Sequence, residues 1–245
     1  MTAIGLAASL GELVAQRPVR APLFERLRFD YCCGGAQTLA AACEAQALDP
    51  DTVGRLIEAF DDAGEDLRPG VENRDWRRAS LSELCEHIVD VHHDGLRRVL
   101  PQIAELLDSV IRVHGPVHRQ LHDLAPIFAG LHNELEPHLE LEERLLFPAC
   151  RALDANPTNP GSIDEALLVA HERDHRHTGE VLSMLRTMTD DYNVDHALCR
   201  THRRLLEALR ALQADLHQHI YEENSILFPR VRAALTVATG PTPGQ

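Results

Sequence analysis

Between residues 81 and 236 apolar positions recur every three or four places, the spacing of one helix face, with charged residues between them. The pattern predicts four long amphipathic helices near 81–112, 117–153, 163–189 and 194–236. Ser80 and Glu83 form a capping box ahead of the first, and Gly115-Pro116 stops it. The second carries Pro126, Pro137 and Pro148, which should kink or divide it. "ANPTNPGS" then loops to the third. Four helices with short connections predict an up-down-up-down bundle.

Upstream the apolar runs are shorter. "SLGELVAQ" starts with Ser9 as N-cap and Glu12 as its capping-box partner, and stops before Pro18. "RAPLFERLRF", "AQTLAAACEAQAL" and, after an Asp-Pro break, "DPDTVGRLIEAFDDA" read as further helices. Residues 61–80 are charged, carry Gly and Pro, and lose the apolar period, as an interdomain linker does. The chain is therefore all-α: a small helical domain over 1–66, a linker over 67–80, a bundle over 81–236 and a disordered tail over 237–245.

Composition narrows the functions available. A formal charge of −14 argues against nucleic acid or an anionic membrane as partner. No run of eighteen uncharged apolar residues is present, so no span is predicted. The first twenty residues lack a basic start, and the six cysteines match neither a zinc spacing nor the needs of a disulfide framework, so a reducing cytoplasm is expected. Fifteen histidines are many for 245 residues, and imidazole is a common metal ligand.

Two stretches concentrate that chemistry. "HLELEERLLFP" (138–148) and "HIYEENSILFP" (219–229) both read His, three residues, Glu, four residues, Phe-Pro. His138 and Glu142, like His219 and Glu223, are i and i+4 and share a helix face. Leu145, Leu146 and Phe147, and likewise Ile226, Leu227 and Phe228, would form a dry wall beside each pair. A single His-x-x-x-Glu is ordinarily surface hydrogen bonding; two copies with matching flanks are not. His93 precedes His138 by 45 residues and His175 precedes His219 by 44, so each half of the bundle offers one histidine and one His-x-x-x-Glu. Six ligands are too many for one tetrahedral zinc; two metals bridged by the two carboxylates fit, and an imidazole–carboxylate set without thiolate suits iron or manganese. A position would remain for oxo, water or a small ligand. His92 and His93 compete for the first position: His93 lies in line with Val89, Leu96 and Leu100, and His92 with Ile88 and Val99. Asp174, beside His175, is a candidate to orient a ligand from outside.

"DYCCGGAQTL" (30–39), "DWRRASLSEL" (75–84), "HDGLRRVLP" (93–101), "DHRHTGE" (174–180) and the two Phe-Pro stretches together resemble the RIC, or iron–sulfur cluster repair, proteins over about residues 8–232. The resemblance implies a cytoplasmic protein with a hemerythrin-like bundle. It implies two carboxylate-bridged iron ions with an oxo bridge, held by His93, His138, Glu142, His175, His219 and Glu223. It further implies repair of clusters damaged by oxidative or nitrosative stress, through iron donation or nitric oxide removal. Damaged iron–sulfur proteins or a cluster assembly scaffold would be the partners, nitric oxide or oxygen the small ligand, and a homodimer is compatible with it. Two other classes fit the same residues: a hemerythrin-like oxygen or nitric oxide binder or sensor, and a nitric oxide reductase. Pro137 and His92 depart from the family's pattern.

Cys32 and Cys33 stand close ahead of a predicted helix start, whose dipole favours a thiolate and raises reactivity. The Gly-Gly pair permits unusual backbone angles and close approach. The cysteines could bind a transferred iron, attack a nitrosylated cysteine or exchange disulfides. Cys43, Cys85, Cys150 and Cys199 lie on helical stretches and read as packing residues.

Overall fold

The computed structural model describes residues 4–67, 74–156 and 163–239. The centre of the expected linker (68–73), most of the loop before the third long helix (157–162) and the end of the tail (240–245) lie outside these residues. Among the described residues every regular element is helical, apart from one isolated β-bridge between Ser9 and Thr38. Two compact units are distinguished: Met1–Ser80 together with His217–Pro229, and Leu81–Leu216 together with Arg230–Gln245.

The first unit holds α1 (Leu10–Gln16), α2 (Ala21–Leu27), α3 (Leu39–Ala45) and α4 (Pro50–Leu67). Three helices begin on polar side chains that satisfy otherwise unbonded N–H groups. Ser9 and Glu12 form the capping box of α1, Thr38 accepts from Ala41 N–H, and Asp49 accepts from Thr52 N–H. Its buried residues include Leu10, Leu13, Val14, Phe24, Leu39 and Ile57, together with an aromatic chain. Phe24 meets Phe29 and Tyr31 edge-on, and Tyr31 meets Tyr221 of the segment 217–229 at 5.8 Å between centroids. The charged stretch from 61 onward is not linker at its start. Helix α4 continues to Leu67, and Asp61 is buried, taking three hydrogen bonds from the buried Arg20 guanidinium. A fixed guanidinium–carboxylate pair allows charge where periodicity alone reads solvent.

The second unit is a four-helix bundle. Its first rod joins α5 (Leu81–His87) to α6 (Asp94–His114), and its second joins α7 (Leu121–Leu141) to α8 (Phe147–Ala155). Then come α9 (Glu165–Met188) and a last rod of α10 (Arg200–Glu222) and α11 (Phe228–Thr239), of which residues 217–229 are grouped with the first unit. Helix α5 packs on α8 and α6 on α7, as an antiparallel hairpin requires, and α7 packs on α9. The core runs through Leu100, Ile103 and Leu107, Leu124, Phe128 and Leu131, Leu182 and Leu185, and Leu205, Leu209 and Leu212. Pro126 and Pro137 sit inside α7 without breaking it. The expected division falls at 142–146, just before Pro148.

Two contacts fix the connections. Asp190, Asp191 and Tyr192 all adopt left-handed backbone angles, φ 51, 60 and 53°. Such angles are unfavourable for residues bearing Cβ, and they persist here because the buried Tyr192 hydroxyl donates to Gln213 Oε1 at 2.8 Å. Asp154, near the end of α8, accepts from Leu81 N–H, Ser82 N–H and the Ser82 hydroxyl at 3.1, 2.7 and 2.6 Å, capping α5 from another helix. Burial raises the Asp154 carboxyl, but these bonds outweigh it and leave it lowered. A depressed folded pKa gives stability that is present above the unfolded carboxylate value and lost as pH falls through the folded one. Asp154→Ala should therefore lower unfolding free energy by about 1 kcal/mol at neutral pH. In denaturant titrations, the gap from wild type should close as pH drops below about 4.

Candidate metal centre

Three of the four bundle rods carry a widened turn at the positions where the His and Glu motifs fall. Over Ile88–His93, Glu142–Leu146 and Glu223–Leu227 the backbone bonds reach back five residues: Asp94 N–H to Val89, Phe147 N–H to Glu142 and Phe228 N–H to Glu223. Such π-turns insert one extra residue into a helix. The Phe-Pro that follows Glu142 and Glu223 gives a physical reason for their place. Proline has no N–H to donate, and its ring crowds the carbonyl four residues back, so the widened turn loosens the ladder where proline cannot complete it.

In the second unit these turns gather imidazoles around one carboxylate. Glu142 is wholly buried. Its Oε1 lies 2.9 Å from His138 Nε2, 3.8 Å from His175 Nε2 and 4.0 Å from His171 Nε2, while its Oε2 lies 3.4 Å from His93 Nε2. His138 and His175 approach Nε2 to Nε2 at 3.2 Å. Burial pushes the Glu142 carboxyl up, but the charge of His138 and hydrogen bonds with His138, His175 and His93 outweigh it and hold the group well below its usual range. His93 stacks on Phe147 at 5.5 Å, and Leu146 is buried, whereas Leu145 is exposed and forms no part of a dry wall. Pro137 leaves His138 within reach of Glu142 because α7 continues unbroken through it. His92 turns elsewhere, its Nδ1 2.9 Å from Asp215 Oδ1.

The other copy of the motif lies on the segment grouped with the first unit. There His219 and Glu223 are both buried, Nε2 to Oε2 at 3.4 Å, and Ile226, Leu227 and Phe228 are buried beyond them.

Residues around these histidines differ from the sequence reading. Asp174 is half-exposed and takes hydrogen bonds from its neighbour Arg173, so it orients no histidine in this arrangement. That part is taken by Glu143, whose Oε1 lies 2.8 Å from both His93 Nδ1 and Arg97 Nη1. Burial raises the Glu143 carboxyl, and its bonds with Arg97 and His93 bring it below the ordinary value. His171 was legible one helical turn before His175. It is buried, its Nδ1 is 2.9 Å from the Leu167 carbonyl, and its other nitrogen faces Glu142. Between α7 and α9 a groove of about 780 Å³, lined by Asn133, Pro137, Arg173 and His177 among others, reaches His138.

Cys32 and Cys33 belong to the first unit, six residues or more ahead of the first residue of α3, Leu39. The surroundings of Cys32 oppose the expected activation. The Cys33 thiol beside it, burial and the Asp30 carboxylate push its thiol well above the ordinary cysteine range. Cys43, Cys85 and Cys150 are buried; Cys199 is half-buried and accepts the His202 N–H.

The donor set fits a metal on its chemistry: four imidazoles converge on one wholly buried carboxylate, a costly arrangement for charged groups without a cation among them. Comparison with known proteins agrees. Residues 85–231 match the hemerythrin HHE cation binding domain, and residues 6–61 match a domain of unknown function, DUF542. The chain is 34% identical over 225 residues to the iron-sulfur cluster repair protein YtfE of Cronobacter sakazakii, covering 91% of this chain and 96% of that one. The YtfE protein of Pectobacterium carotovorum is 34% identical over 223 residues, with 91% and 95% covered, and that of Citrobacter koseri 32% over 225, with 91% and 96% covered.

If His93 ligates the metal, Glu143→Ala should leave helicity intact yet weaken metal retention about 10–100-fold, the usual effect of removing a carboxylate that orients a ligand. Chelator competition measures the shift.

Proposed function

The chain belongs to the family of iron–sulfur cluster repair proteins, and from that premise we propose that it restores clusters damaged by oxidative or nitrosative stress. We further propose that His93, His138, Glu142, His175, His219 and Glu223 hold two iron ions, each glutamate bridging. The observation that carries this reading is the divided environment of Glu142: one oxygen faces His138 and His175 and the other faces His93, as a carboxylate spanning two ions would. The same His-x-x-x-Glu, π-turn and Phe-Pro arrangement at His219 and Glu223 supports a matching second bridge. Imidazole and carboxylate without thiolate favour iron over a structural zinc.

Bound iron would supply transferable metal and an ion with affinity for nitric oxide. The chain's own residues supply the surroundings. Glu143 and Arg97 fix the His93 ring, and Phe147 and Leu146 keep water from it. His138 is the least enclosed of the ligands in the second unit, with 11% of its side chain accessible where the groove meets it, so a small molecule or an ion would pass on that side. Damaged iron–sulfur proteins are the partners in this reading, and a reducing cytoplasm is the compartment. No helix among the described residues is long and apolar enough to cross a membrane.

A second reading, binding or sensing of oxygen or nitric oxide, rests on that groove and needs no cysteine. It gains if Cys32→Ala/Cys33→Ala leaves repair activity intact.

Purified protein should contain about two irons per chain and reactivate a cluster enzyme inactivated by nitric oxide. Glu142→Leu/Glu223→Leu should lose both properties while keeping its helical circular dichroism, because exchanging buried charge for apolar bulk is often neutral for folding. Equal reactivation by the variant would refute a role for the site.

A further inference from the structure

The "DYCCGG" turn is more ordered than a flexible reactive loop. Asp30 Oδ1 accepts the Cys33 N–H at 2.8 Å, so the carboxylate closes the turn on itself. Gly11 N–H donates to the Gly35 carbonyl at 2.8 Å, and Asn224 Nδ2 donates to the Cys32 carbonyl at 3.2 Å. Neither Gly34 nor Gly35 is left-handed; both are glycine because of crowding. A Cβ at Gly34 would lie 3.0 Å from the Asp30 carboxylate, and one at Gly35 would lie 2.7 Å from the Tyr31 carbonyl. The paired glycines thus let the chain fold back over Asp30 without displacing its side chain.

The three side chains that this turn brings together have the spacing of ligands on one ion. The Cys32 and Cys33 sulfurs are 3.8 Å apart and form no disulfide. Two thiolates about 2.3 Å from a tetrahedral ion lie about 3.8 Å from each other. Cys32 Sγ is 3.4 Å from Asp30 Oδ1. A sulfur about 2.3 Å and an oxygen about 2.0 Å from the same tetrahedral ion would be about 3.5 Å apart. All three potential ligand atoms fall within 4.8 Å of one another.

We propose that Asp30, Cys32 and Cys33 form a second metal site, taking one divalent ion of the zinc or ferrous type in tetrahedral coordination. Binding exchanges the two thiol protons, which pass to solvent, for two metal–sulfur bonds and one metal–oxygen bond; no electron moves. Three protein ligands leave the fourth position open, and Asp30 is exposed while Cys33 is half-buried, so that position faces solvent. An ion held in this way is exchangeable rather than structural. The site stands apart from the imidazole–carboxylate centre in its chemistry, because among these two clusters only this one offers sulfur.

Cobalt(II) is the probe that separates them. Added anaerobically to the reduced, iron-loaded full-length protein, it should give near-ultraviolet thiolate-to-cobalt absorption and the intense visible bands of a tetrahedral site, with about two protons released per ion bound. Cys32→Ser/Cys33→Ser should abolish the thiolate band. Asp30→Asn, which keeps the acceptor for Cys33 N–H, should retain the band and weaken binding about tenfold or more. Glu142→Leu/Glu223→Leu should leave it unchanged, so failure of this site and failure of the proposed iron centre are distinguishable. Displacement of cobalt by zinc or by ferrous ion then ranks the natural occupants. Absence of the thiolate band, its survival in the double cysteine variant, or an unchanged affinity in Asp30→Asn would each overturn the three-ligand assignment.

Discussion

A carboxylate buried away from water governs the architecture of the bundle. Glu142 has no access to solvent, and removing an ionised group from water costs on the order of several kcal/mol unless charge and hydrogen bonds replace the solvent. Imidazoles on α5–α6, α7 and α9 supply that replacement. They can reach Glu142 only if three rods present particular residues to one point. Apolar packing between the rods, from Leu100 through Phe128 to Leu212, would tolerate small rotations of any of them. The polar centre would not, since a shift of one residue turns a ring about 100° around its helix, away from Glu142. The hydrophobic core therefore holds the rods together, and the carboxylate sets their phase.

Much of this is legible in the sequence because i and i+4 spacing survives translation into a helix. His138 with Glu142 and His219 with Glu223 stand where the pattern puts them, and the four rods follow from apolar period. The connecting details follow from contacts that no local pattern encodes. Asp154 caps a helix that begins 73 residues earlier, and Asp61 is buried because Arg20, 41 residues away, is buried with it. Adjacency in sequence suits Asp174 to steer His175. Adjacent residues on a helix point about 100° apart, however, and the one carboxylate seen orienting a histidine of the cluster is Glu143, which holds His93 from a neighbouring rod. His171 carried a usable signal, one turn before His175. The widened turns were hidden because one inserted residue barely disturbs an apolar period that is already read with a tolerance of one position.

The cysteine pair shows the same limit from the other side. Proximity to a helix start suggested an activated thiolate, whereas the turn sets Cys32 against a second thiol and a carboxylate in a buried place. Both features follow from Gly34 and Gly35, which permit a fold-back too tight for any side chain. Local electrostatics at this turn are decided by what the backbone brings within 4 Å, and the dipole of a helix several residues away is the weaker influence.

The widened turns also change what a mutation can do. Each one is an insertion of a single residue into an otherwise regular rod, so the helix beyond it is advanced by roughly 100° relative to an unbroken one. Deleting any one residue from 142–146 would restore ordinary backbone bonding, and the local helix would gain regularity. The same deletion would swing Phe147 and Cys150, both buried, toward solvent and carry the core face of α8 out of register with α5. Local stability and the integrity of the centre are thus opposed in residue count, whatever the side chains. A change in length here is graver than almost any change in identity, and insertions or deletions that surface loops accept freely would be lethal to the site.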